Sequence, residues 1–306
     1  MKKTWTALLC AAVCLLSSAR AESHLDALRQ ETAGGWHQTY TTAKGQALQI
    51  DAAILLPDNG QTVASYQVNE RPALDNDRLS GYGVRSVQSD SISLVMPADP
   101  QQEEKQNKSL GKFQESRRYG RTVPEIQGLS YQEACQTAEG VINALFDRTL
   151  ADYALDFGEV ATWENGQTFL LCFAPRLNGL PVSSDSLTLD YRGRDHWYAL
   201  VSFHDYQEVE ADLELVPFAT VQENVLASLE AGKVEDSHGM SQSGPIASIT
   251  QVQLEYALFA QKGKQMLLPV WAVDFETVGQ EGAGRLYFSA QTGKPLVWNG
   301  NGYQTP

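Results

Sequence analysis

Residues 130–145, Ser-Tyr-Gln-Glu-Ala-Cys-Gln-Thr-Ala-Glu-Gly-Val-Ile-Asn-Ala-Leu, open with the pattern Ser130-x-x-Glu133. In such a capping box the serine oxygen accepts from a free helix N–H, and the glutamate reaches back to the chain before it. Tyr131, Ala134, Cys135, Ala138, Val141, Ile142 and Leu145 then recur at helical spacing and predict a helix with one apolar face. After it the period changes. Thr168–Pro175 (TFLLCFAP), Ser186–Tyr191 (SLTLDY) and Trp197–His204 (WYALVSFH) are short apolar or alternating runs, with Asn178-Gly179 and Arg192-Gly193 as turn signals, and they predict strands.

The same order follows downstream. Thr220-x-x-Glu223 predicts a second capped helix with Val221, Val225 and Leu229 on one face and Gly232 past its end. Beyond a Gly/Ser-rich loop, Ile249–Phe259, Met266–Phe275 and Arg285–Ser289 predict strands. Phe169–Phe173 and Met266–Val270 share an apolar pattern, as do Leu187–Tyr191 and Leu286–Ala290. Landmarks in the same order suggest a tandem duplication, with chance similarity between apolar strands as the alternative.

Towards the N-terminus, Ala47–Pro57 (ALQIDAAILLP) and Thr62–Val68 (TVASYQV) predict two strands joined as a hairpin by Pro57-Asp58-Asn59-Gly60, a sequence suited to a tight turn. Ser91–Met96 (SISLVM) predicts a third strand. From Ala98 to Arg121 polar residues dominate, with Phe113 and Tyr119 as the only aromatics, which predicts a mobile linker or long loop. At the extreme N-terminus, Lys2-Lys3, an apolar run from Trp5 to Leu16 and Ala19-Arg20-Ala21 read as a cleavable signal peptide. A membrane span needs roughly 20 apolar residues, so a permanent anchor is not expected. Cys10 and Cys14 sit in poor lipobox contexts, so no lipid anchor is expected either.

With 23 basic and 37 acidic residues the chain carries a net charge of −14. Such a field disfavours nucleic acid and anionic lipid surfaces as partners and suits a soluble exported protein. Only Cys135 and Cys172 lie beyond the signal segment, one on a predicted helix and one in a predicted strand. They form either a bridge or two buried thiols; buried thiols are the expectation, and no metal or redox motif results.

Motifs that carry chemistry are missing in complete form: there is no H-E-x-x-H, G-x-S-x-G, Walker loop or G-x-G-x-x-G. Ser109-Leu-Gly-Lys112 is formally S-x-x-K but lies in the polar stretch without companion motifs. Asp75-Asn-Asp77 begins like a calcium loop, but Leu79 occupies a ligand position. His196 and His204 flank a predicted strand, roughly 26 Å apart, too far to share a metal. Asp195, Asp205, Glu208 and Glu210 stand near them, and all read as strand-end polar residues. Trp197, Trp271 and Trp298 occupy strand positions where core burial is expected. No catalytic, cofactor-binding or metal residue is therefore assigned, and no cofactor.

The ending Leu267-Leu-Pro-Val-Trp-Ala-Val-Asp-Phe275, followed by Leu286-Tyr-Phe-Ser-Ala-Gln-Thr-Gly-Lys-Pro-Leu296, resembles the end of PepSY-like modules. Those finish with a strand of the type P-V-W-x-V and a hairpin D-A-x-T-G-x-x-L, where this chain has Ser289 in place of the Asp. Similar tandem modules occur in Yyc-type proteins that restrain a bacterial wall-sensing kinase. With Trp36 to Tyr40 and Ile50 to Pro57, the layout also resembles uncharacterised bacterial secreted lipoproteins of unknown function. The resemblance implies binding or regulation and supplies no catalytic residues.

The expected fold is α+β: antiparallel sheets each packed with a helix, as tandem PepSY-like helix-plus-strands repeats after an N-terminal β-rich segment. The expected divisions are a signal peptide (1–21), the β-rich segment (22–97), the polar linker or long loop (98–121), and helix-plus-sheet modules at 122–216 and 217–306. The expected function is a non-catalytic extracytoplasmic binding or regulatory protein of the bacterial envelope, whose partner is an envelope protein or peptide. An envelope hydrolase with scattered carboxylates and a carbohydrate-binding module are the alternatives.

Overall fold

A computed structural model of the chain describes residues 24–304 except 58–61, 70–76, 78, 89–90, 122, 232–245, 262–263, 279–282 and 299–301. The expected signal peptide therefore lies outside the described residues, as do the turn at 58–60 and the loop at 237–243. Helix α1 (His24–Thr32) leads into strands β1 (Trp36–Thr41), β2 (Ala47–Leu55), β3 (Ser65–Asn69), β4 (Gly83–Val87) and β5 (Ser91–Met96). Helix α2 (Pro100–Ser109), β6 (Phe113–Arg118) and α3 (Tyr131–Phe146) come next. A strand-rich run follows: β7 (Tyr153–Trp163), β8 (Gly166–Leu177), β9 (Leu180–Pro181), β10 (Ser186–Gly193), β11 (His196–Ser202) and β12 (Asp205–Glu210). After α4 (Phe218–Ala231) come β13 (Ile246–Gln261), β14 (Lys264–Thr277), β15 (Ala283–Ser289), β16 (Val297–Trp298) and β17 (Tyr303–Gln304).

Strands gather into two sheets. The nine-stranded sheet runs β1-β2-β13-β14-β3-β12, with β15 on the later half of β14 and β17 beside β13. The eight-stranded sheet runs β4-β5-β11-β10-β8-β7-β6, with β9 folded back on β8. Alternation sends successive side chains to opposite faces. On the nine-stranded sheet Leu254, Tyr256, Trp271, Val273 and Phe275 share a core with α1 and α4. Phe218 of α4 stands between Trp36 and Trp271, with ring centroids 6.0 and 5.0 Å away. On the eight-stranded sheet Phe169, Leu171, Leu187 and Leu189 bury Ala138, Val141 and Ile142 of α3. Each fully buried aliphatic or aromatic side chain stabilises by about 1.5–3 kcal/mol, and these two cores account for most of the apolar burial.

Helix α3 starts where its sequence predicts: the Ser130 hydroxyl accepts from the Glu133 N–H at 3.4 Å. Glu133 itself does not close the box but pairs with Arg194 at 2.6 Å. Helix α4 starts two residues before Thr220, because a carboxylate distant in sequence caps it. Glu31 of α1 accepts from the N–H groups of Phe218 and Ala219, each at 2.9 Å. That places negative charge at the positive end of the helix.

The expected tandem PepSY-like fold is overturned. Strands dominate in two large sheets, with four α-helices among the described residues, and this is a β-rich fold rather than a pair of helix-plus-strands modules. Neither expected module owns its sheet. The 22–97 segment is divided, β1 to β3 joining one sheet and β4 and β5 the other, while β12 leaves 122–216 for the nine-stranded sheet. Local apolar patterns report which runs are strands but not which distant strands pair. For that reason β2 and β3 form as expected yet do not make a hairpin: β2 lies between β1 and β13, and β3 between β14 and β12.

The expected linker at 98–121 is also structured. Asp99 caps α2 by accepting from the Gln101 N–H at 2.9 Å, and β6 pairs along β7. Both elements are polar because both lie at the surface, one as a helix burying little besides Glu103, the other as an edge strand.

Candidate functional site

The two sheets meet along a seam built by the turn out of β8. β9 and the residues after it continue the edge of β13 that β2 leaves at Gln253: Val182 bridges to Tyr256, and the Ser183 N–H donates to the Tyr256 carbonyl at 2.9 Å. Leu180 and Val182 enter the core beneath α1 and α4. Asn178, at the tip of the β8–β9 turn, donates to the Tyr66 hydroxyl at 2.7 Å.

Where β11 passes into β12, the seam opens as a cleft of about 140 Å³. Its floor is apolar and aromatic, from Tyr153, Val182 and Phe203. The buried Asp185 carboxylate holds His204 twice, accepting from its backbone N–H at 2.8 Å and meeting its Nδ1 at 2.7 Å. An ionised carboxylate only accepts, so Nδ1 is the nitrogen that donates. Tyr206 lies beside this pair, and burial, then the Asp185 charge, raises its phenol far above the ordinary range. Burial likewise pushes Tyr153 up to about 12. Both phenols stay protonated at neutral pH. Exposed Arg148 and Arg176 stand at the rim. Arg176 is anchored through Nε to the Tyr153 carbonyl and through Nη1 to that of Gly179.

A second polar group seals the seam elsewhere. Asp156 of β7, Glu255 of β13 and Asp274 of β14 gather around Arg121 and Arg285 of β15, with every side chain at most 20% exposed. Arg285 donates to Asp274 at 2.6 Å and also to Asp156, so one guanidinium joins the two sheets. Arg121 reaches Asp274 at 3.2 Å. Burial alone would raise Asp156, but the Arg285 charge and hydrogen bond, with Arg121, outweigh it and hold the carboxyl below its ordinary range. Glu255 goes the other way: burial first, opposed by Arg285 and reinforced by Asp156, takes it up to about 7.

The residues singled out by sequence are dispersed. His196 meets Asn107 of α2 at 3.1 Å and His204 meets Asp185, and no group of three or more metal-capable side chains occurs among the described residues. Ser109 ends α2, its hydroxyl donating to the Gln106 carbonyl. Asp77 is exposed, while Asp75 and Asn76 lie outside the described residues. Trp197 and Trp271 are buried and Trp298 is exposed. Cys135 and Cys172 are free thiols. Leu171 and Phe173 face α3, so Cys172 lies on the opposite face of β8, and burial pushes its thiol up to about 12. No helix among the described residues is long and apolar enough to cross a membrane.

Sequence reasoning missed the charge cluster, although it left a signal. Asp156, Glu255 and Asp274 are acids flanked by apolar residues within strands, in YALDF, QLEYALF and VWAVDF. Such a position is costly unless a partner is brought to it. Asp185 and Arg176 left no comparable signal, because both stand at strand ends beside turns, where polar residues are ordinary.

No family model and no curated protein matches this chain. In fold it is similar to the crystal structure of an uncharacterized protein from Eubacterium rectale ATCC 33656, with 15% identity and a TM-score of 0.55 over 90% of this chain and 98% of that one. At that identity the likeness speaks for the fold alone.

Proposed function

We propose that the chain is an exported, non-catalytic binding or regulatory protein of the bacterial envelope, and that its cleft captures one anionic group of a peptide or protein partner. The cleft carries this reading. At about 140 Å³ it is small for a whole cofactor or drug-sized ligand and suits a single side chain or a chain end. Its apolar floor takes the aliphatic part of such a group, and Arg148 and Arg176 at the rim take a carboxylate. Asp185 lines the same cleft and keeps its charge, but both of its oxygens already accept from His204, so it offers a partner no free acceptor. The net charge of −14 acts over a longer range, which salt screens beyond about 8 Å, so local charges decide at the rim, two arginines against the exposed Asp205.

The test is a library of short peptides with free C-termini beside the same library amidated, followed by calorimetry. Free-acid peptides should bind, and R148A and R176A should each weaken them by about tenfold. Equal retention of both libraries, or none of either, would contradict the reading.

A second reading rests on the Asp185–His204 pair, since a buried carboxylate that fixes an imidazole is how hydrolases orient a general base. Turnover of ester or peptide substrates by the wild type that is lost in H204A would favour it over binding.

A further inference from the structure

The seam cluster contains three carboxylates and two guanidiniums, so full ionisation leaves one negative charge in excess. The three acids are not equally placed to carry it. Asp156 and Asp274 each accept a guanidinium hydrogen bond, Asp274 from both arginines. Glu255 is the deepest, 1% exposed, and approaches Arg121 and Arg285 only at 3.5 and 3.9 Å through Oε2. Its Oε1 has no hydrogen-bond partner among the described residues. Tyr287, buried on β15, also faces it. A further cation, Arg118 of β6, stacks at 4.0 Å on Phe157 and acts on Asp156.

We infer that Glu255 holds a proton in the sealed seam and that the cluster is a pH-sensitive latch between the two sheets. With Glu255 neutral, Arg121 and Arg285 balance Asp156 and Asp274 across the seam, and the sheets are locked. When the proton leaves to solvent, an unbalanced charge is buried beside two other carboxylates, and the latch weakens. The folded value, about 7, lies above the ordinary glutamate value of 4.5. Stability from this group is therefore fully present below the ordinary value and is lost as pH rises through the folded one. Burial and Asp156 favour the proton, while Arg285, Arg121 and the Tyr287 hydroxyl oppose it. This inference is independent of what the cleft binds.

The decisive comparison is urea unfolding of the wild type and E255Q from about pH 5 to about pH 8.5. Relative to E255Q, the wild-type folding constant should fall by on the order of 100-fold across that range. The difference is the readout because other groups titrate too. His196, lowered by burial and by Arg192, contributes stability of the opposite pH sense in both proteins. Parallel profiles for the two proteins would overturn the latch. If E255Q does not fold, amide exchange of the wild type replaces it. After correction for intrinsic rates, the Ser183 N–H at the seam should open more than about tenfold more often at the high pH, while Val141 and Ile142 in α3 should not. Equal change at all three sites would overturn the proposal.

Discussion

Asp185 and Glu255 are buried to nearly the same depth, 2% and 1% exposed, and both stand where the two sheets meet. Asp185 receives a backbone N–H and an imidazole from one residue, His204, at 2.8 and 2.7 Å. Glu255 shares two arginines with two aspartates that hold them more closely, and one of its oxygens is left without a donor. Depth of burial alone therefore does not decide what a buried acid does. The number and geometry of its donors decide whether it is a fixed part of the frame or a group that changes charge.

Removing the shared arginine should break this comparison most severely. Arg285→Ala leaves Asp156, Asp274 and Glu255 with Arg121 as the remaining cation among the five, and should cost about 3–5 kcal/mol in urea unfolding near neutral pH. A loss below about 1 kcal/mol would mean that the cluster is not sealed from water. Asp185→Ala should cost less, about 1–3 kcal/mol, because it strands two donors of His204 and no unbalanced charge. Asp185→Asn keeps one acceptor and should recover part of that loss. The smallest effect belongs to Glu31, which like Asp185 has two donors, here both backbone N–H groups, but lies at the surface. Glu31→Ala should cost about 1 kcal/mol and raise amide exchange in the first turn of α4 ahead of the rest of that helix. If Glu31→Ala costs as much as Asp185→Ala, burial adds nothing to a well-paired carboxylate.

Much of this frame was legible in the sequence. The helix after Ser130 and the runs that became β5, β8, β10, β13 and β14 were visible because each carries its own period and punctuation. Pairing was not visible. The parallel contact of β2 with β13, and the cap that Glu31 gives α4, join residues about 190 or more positions apart, and no local pattern encodes them. Polar edge elements were misread for a related reason: β6 and α2 bury so little that their composition is that of a loop. The seam acids were present as charges between apolar neighbours in their strands. They were unreadable as a site because the arginines that meet Asp156 come from elsewhere, Arg121 from beyond β6 and Arg285 from β15.

The most direct test of the contrast between the two acids is a titration of the Glu255 side-chain carboxyl in the folded wild type by carbon-13 NMR, assigned by the signal missing from E255Q. The account predicts a carboxyl that loses its proton near 7, while the fold around α3 stays unchanged. A Glu255 carboxyl already ionised at about pH 5, close to the ordinary glutamate range, would show that the arginines support its charge and would contradict the account.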